Sequence, residues 1–156
     1  MHEMFSGCSS LKNINLSKFN TNNVINMKKM FFGCSFLKEL NLSNFNTIKL
    51  KNMGHMFSGC SLLEKLIISN FNTYKVTDMS RMFSGCSSIK ELNLSNFNTN
   101  NVTNMIDMFS KCSSLKKLNL NHFNINSTTN MINMLAYFKG ELKWKALDKE
   151  LKKIVF

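Results

Sequence analysis

The chain has 156 residues, 44% of them apolar, with 20 Lys and Arg against 9 Asp and Glu for a net charge of +11, and no proline. That length and apolar content support one folded domain with a core, and 19% charged residues exclude the composition of a disordered chain. No apolar run approaches the roughly 18 residues that a membrane-spanning helix requires. The start, Met1-His2-Glu3-Met4-Phe5, carries no basic region, apolar stretch or cleavage site, so no export address is read here. Asparagine is the compositional outlier at 24 residues, read as a genome-level coding bias without chemical weight.

The first element is a repeat unit, and it recurs. Cys8, Cys34, Cys60, Cys86 and Cys112 are spaced by 26 residues, within the segments MFSGCSSL, MFFGCSFL, MFSGCSLL, MFSGCSSI and MFSKCSSL. Every methionine falls in one of two columns of the same period, exemplified by Met27, Met53, Met79 and by Met30, Met56, Met82. Phe5, Phe31, Phe57, Phe83, Phe109 form one aromatic column, and Phe19, Phe45, Phe71, Phe97, Phe123 another. Within a unit such as 86–109, Ile89, Leu92 and Leu94 predict a short half-buried strand. The polar stretch Ser95 to Asn101 predicts a turn with Phe97 inward. Val102, Met105, Met108 and Phe109, spaced 3, 3 and 1, predict one face of a short helix, closed by glycines such as Gly59 and Gly85 in a left-handed cap.

A unit of this size cannot bury its apolar side alone, and equal spacing lets each unit stack on the next, with parallel strands about 4.8 Å apart. The expected fold is α/β: a right-handed leucine-rich-repeat solenoid over residues 1–138, with a parallel strand face, short helices on the other side and a C-terminal cap. The strand core Leu37-Lys-Glu-Leu40-Asn-Leu42 resembles the leucine-rich repeat. The fuller pattern C-S-x-L-x-x-L-x-L-S-x-F-N-T-x-x-V-x-x-M-x-x-M-F-x-G resembles the BspA-like class of surface proteins, over Met1 to about Met134. Departures at Lys111, Ile125 and Thr128 mark the last copy. The resemblance implies a cell-surface or secreted module acting in adhesion or recognition, with a protein partner such as a host or extracellular-matrix protein.

Five cysteines in one column form a line, whereas zinc sites want converging pairs, so they are read as reduced, buried core fillers along with the Phe19 to Phe123 column. His2, His55 and His122 occupy three different repeat places and are read as solvated surface residues. No catalytic or nucleotide-binding motif is present, so neither an enzyme activity nor a cofactor nor a small-molecule substrate is expected. Tripeptides such as Asn41-Leu-Ser43, Asn93-Leu-Ser95 and Asn126-Ser-Thr128 match the glycosylation pattern through the Asn and Ser content of the unit.

Recognition is expected on the strand face. Its charged columns read Lys38, Glu64, Lys90, Lys116 and Glu39, Lys65, Glu91, Lys117, and a third column, Asn41, Ile67, Asn93, Asn119, offers amide groups with one apolar intruder. The reversal between Lys38-Glu39 and Glu64-Lys65 places opposite charges side by side as a register device. An alternative reading is an intracellular scaffold or a binder of nucleic acid or an anionic surface through the net charge. The dispersed lysines and the single arginine, Arg81, disfavour nucleic acid.

The repeat is expected to stop near Tyr137-Phe138-Lys139-Gly140, and residues 139–156 to form an amphipathic capping helix from Glu141 to Lys153, with Leu142, Trp144, Leu147, Leu151, Ile154 and Val155 on its inner face. Because Met1 sits mid-unit, the chain reads either as part of a longer surface protein or as a chain whose start was assigned late, with membrane association only through upstream or adjoining segments.

Overall fold

A computed structural model describes residues 1–126 and 128–156; the Asn126-Ser-Thr128 tripeptide includes Ser127, which lies outside the described residues. Among the described residues the architecture is mixed α/β, with short parallel strand pairs and one short helix. Strands β1 (Glu39–Asn41) and β2 (Lys65–Ile67) pair in parallel, as do β3 (Lys117–Asn119) and β4 (Glu141–Lys143), and α1 (Lys149–Val155) closes the chain. Among the described residues no helix is long and apolar enough to cross a membrane.

Most backbone bonds between units are made away from the strands, in the segments that follow the polar turns. Parallel bridges run Asn26 to Asn52 to Asp78 to Asn104 to Asn130, each step one repeat. The N–H groups of Met27, Lys29, Phe31 and Gly33 donate to the carbonyls of Asn52, Gly54, Met56 and Ser58 at 2.8 to 3.0 Å, and the same four bonds start again from Met53, Met79 and Met105.

This ladder replaces the short helices expected in each unit. Lys29, His55, Arg81 and Asp107 have φ of 52 to 57°, and Gly33, Gly59 and Gly85 have φ of 69 to 77°, so a left-handed residue recurs inside the segment and a right-handed helix cannot run through it. Bonds such as Met30 N–H to Met27 O and Phe32 N–H to Lys29 O make consecutive tight turns. Each turn advances the chain three residues and returns it to the same side, so the spacing of 3, 3 and 1 buries Val76, Met79, Met82 and Phe83 without a helix.

The core follows the columns. Phe5, Phe31, Phe57, Phe83 and Phe109 stack with centroids 5.4 to 6.0 Å apart. Cys34, Cys60, Cys86 and Cys112 are buried, and each Sγ–H donates to the phenylalanine carbonyl one unit back, as in Cys60 to Phe31 O at 3.1 Å. Cys8 departs from the expected buried column and is exposed, and Phe19 is only partly buried, because no unit covers that end of the described chain. Phe45, Phe71, Phe97 and Phe123 are buried as expected.

The C-terminal helix is shorter than expected and begins later. Glu141–Lys143 is a strand, with Leu142 in register with Leu118, so the repeat continues two residues short. Trp144 then takes the place of Leu120 and Leu147 that of Phe123: Leu147 N–H bonds to Trp144 O as Phe123 N–H bonds to Leu120 O. Gly140 permits the shortened crossing, since a Cβ there would lie 2.6 Å from the Lys116 carbonyl oxygen. Asp148 caps α1 by accepting from Leu151 N–H at 2.8 Å.

Candidate functional site

The strand face is built by a local device. Leu40, Leu42, Leu118 and Leu120 point inward and are buried, which leaves Glu39, Asn41, Lys117 and Asn119 exposed by alternation. Strand ends are fixed by asparagine: the Oδ1 atoms of Asn41, Asn93 and Asn119 accept from the N–H groups of Ser43, Ser95 and Asn121 at 2.9 to 3.1 Å. The amide oxygens expected to face a partner are therefore held in the chain's own turns. Ile67 cannot make that turn and stands half-buried in their row.

Lys38, Glu39, Glu64, Lys65, Lys90, Glu91, Lys116 and Lys117 are all exposed on this side. Glu39 and Lys65 are Cα partners, and Glu64 N–H bonds to Lys38 O at 2.8 Å, so the charges stand side by side as expected. The anticipated pairing between them is not made. Among the described residues the ion pairs of this face are Lys117 with Glu141 at 3.8 Å and Lys143 with Glu141 at 3.7 Å. Glu141 and Lys143 were hidden from sequence reasoning by their assignment to a helix; the alternation in Glu141-Leu142-Lys143 was the signal for a strand.

The face is not one continuous sheet. No strand is formed around Leu92, which is only partly buried, and Lys116 N–H to Lys90 O is the backbone bond joining these two units at the strand start. A shallow depression of about 480 Å³ opens there, lined by Glu91, Leu92, Asn93, Lys116 and Lys117. The depression is open to solvent.

On the ladder side, Arg81 Nε bonds Asp107 Oδ2 at 2.9 Å. His55 differs from the solvated histidine expected: its Nδ1 is buried without a partner, and burial, then Arg81, Lys28 and Lys29, push its pKa below the ordinary 6.5. Burial likewise pushes the Cys34 thiol up to about 11 and those of Cys60 and Cys112 to about 12, which keeps them protonated and unreactive. Among the described residues no group of three or more His, Cys, Asp or Glu side chains is placed to hold a metal ion.

Neither the comparison with curated proteins nor that with solved structures found a match. Two matches to one family, over residues 1–69 and 62–145, cover nearly the whole chain and follow its internal repetition. The chain belongs to the family described as "Mycoplasma protein of unknown function, DUF285".

Proposed function

We propose that the units stack as a right-handed leucine-rich-repeat solenoid of the BspA-like kind, and that the protein is a non-enzymatic binding module at the cell surface or secreted. It engages a protein partner, such as a host or extracellular-matrix protein, through the strand face. The observation that carries this reading is the in-phase row of exposed charged side chains held above a buried leucine ladder. Such a row can vary without disturbing the core, which is what a recognition surface on a repeat protein needs. Adhesion and surface display rest on the family resemblance.

The test uses the full chain against immobilised extracellular-matrix proteins. Charge reversal at Glu39, Lys65, Glu91 and Lys117 is expected to remove binding while the melting temperature stays within a few degrees, since exposed pairs contribute little to stability. Reversal at Lys49 and Lys75 is expected to leave binding intact. The opposite pattern moves the site off the strand face.

A second reading, binding to nucleic acid or an anionic surface, is favoured by the net charge of +11. Salt separates the two: charge-driven binding falls steeply between about 50 and 200 mM, whereas a protein contact is less sensitive.

A further inference from the structure

Near-identical units within one chain show what the fold itself requires at each place. At the place just before the strand, three units carry Ser10, Ser88 and Ser114, and two carry Phe36 and Leu62. Phe36 is 52% exposed and Leu62 37%. Phe36 N–H bonds to Ser9 O and Leu62 N–H to Ser35 O, which sets the two side by side in adjacent units. Serine satisfies the fold at this position, so two exposed apolar side chains there serve something other than the core.

The charges beside them have a matching peculiarity. The second unit reads Lys38-Glu39 and the third Glu64-Lys65, giving a two-by-two checkerboard at the start of the β1–β2 pair, where Glu64 N–H bonds to Lys38 O and Glu39 is the partner of Lys65. Among the described residues none of these four is in an ion pair. A checkerboard of this kind is complementary to itself. A twofold axis running along the strands between β1 and β2 would bring Lys38 opposite Glu64 of a second copy and Glu39 opposite its Lys65, and the same axis brings Phe36 opposite Leu62. Lys90-Glu91 beside Glu64-Lys65 repeats the sign reversal, but Ser88 stands next to Leu62 there and no strand pairing fixes the spacing.

We infer that the protein self-associates as an isologous dimer through the β1–β2 face, with Phe36 and Leu62 as apolar anchors and the four charges setting the register. The patch carries two positive and two negative groups, so it offers no net attraction to nucleic acid or anionic lipid. A foreign protein would need an independently matched pattern, whereas a second copy matches by symmetry. The inference deepens the reading of the strand face as an interaction surface and rests on it.

Sedimentation equilibrium of the full chain alone, over a concentration series, tests it. The expected result is a monomer–dimer equilibrium. Lys65→Glu or Glu39→Lys alone would raise the dissociation constant at least about tenfold, because symmetry places like charges opposite each other twice. The double variant Glu39→Lys/Lys65→Glu restores both pairs and is expected to return to within about threefold of the parent. Phe36→Ser and Leu62→Ser, which install the residue that sibling units already tolerate, weaken the dimer while the melting temperature of the dilute monomer is kept. A monomer throughout, a dimer indifferent to these changes, or a double variant as weak as the single ones overturns the inference. None of these results depends on a foreign partner, so failure here leaves the binding assay above to stand or fall by itself.

Discussion

Four of the five polar turns enclose a threonine hydroxyl that joins one unit to the next. Thr73 Oγ1 donates to Asn98 O at 2.8 Å and accepts from Asn98 N–H at 2.7 Å, and Thr21, Thr47 and Thr99 repeat the pair. Ile125, the departure noted in the repeat, occupies the place where the hydroxyl would continue. Thr73→Val keeps the shape but leaves the half-buried N–H and carbonyl of Asn98 without their partner, so urea unfolding should show a loss of about 1 to 3 kcal/mol, with Thr73→Ser nearer the parent. Asparagine, set aside on composition, is structural: Asn26, Asn52, Asn104 and Asn130 each accept from the N–H two residues on. Composition alone hides that role because it only counts residues, whereas alignment of the units column by column shows asparagine recurring at one repeat place. The thiols allow a second test at this scale. Their folded pKa values are raised, so the unfolded chain loses thiol protons first, from the ordinary value near 9.0 upward. Stability from these groups is fully present below pH 9 and falls between about 9 and 12, by about 1.4 kcal/mol per pH unit for each thiol still protonated in the fold. Denaturation across that range would show it, and a hydrophilic thiol reagent at neutral pH should label Cys8 alone in the native protein.

At the level of elements, side-chain spacing told which residues are inside and left open where the backbone bonds go. Met79, Met82 and Phe83 are buried as their spacing required, yet a run of tight turns produces the same periodicity as a helical face. The distinguishing fact is that Arg81 N–H reaches Ile106 O in the next unit, 25 residues away, and no local pattern encodes such a partner. The strand columns were legible for the opposite reason, since alternation fixes a face wherever strands form. Around Leu92 the ladder is interrupted, and Leu92, like Leu66 within β2, is only partly buried, whereas Leu40 and Leu118 are buried. Leu118→Ala, in a paired and buried position, should cost about 2 to 5 kcal/mol by chemical denaturation, and Leu92→Ala clearly less. Gly140→Ala is a sharper case. Its Cβ would meet the carbonyl oxygens of Leu115 and Lys116, so β4 must shift from β3, and a drop in melting temperature with increased exchange at Leu120 N–H is expected.

Across the whole molecule, neighbouring units hold one another, so stability is set by interfaces and ends. The C-terminal end is closed by the chain's own tail: Ile154 and Val155 offer the carbonyls that a further unit would supply, accepting from Asn133 N–H at 2.9 Å and Leu135 N–H at 2.6 Å. Val155 is buried, and Met134 and Leu135 lie beneath with no exposed surface. Removing residues 149–156 would leave those two N–H groups unpaired and open the end of the Met and Phe columns to water. The expected result is a lower melting temperature, with hydrogen exchange rising first at Asn133 and Leu135, then at Asp107 and Phe109 one unit in. Phe57 N–H, bonded to Met82 O near the middle, should keep its protection longest. Uniform loss of protection along the chain would mean that the units unfold as one cooperative block, and the nearest-neighbour account of its stability would fail.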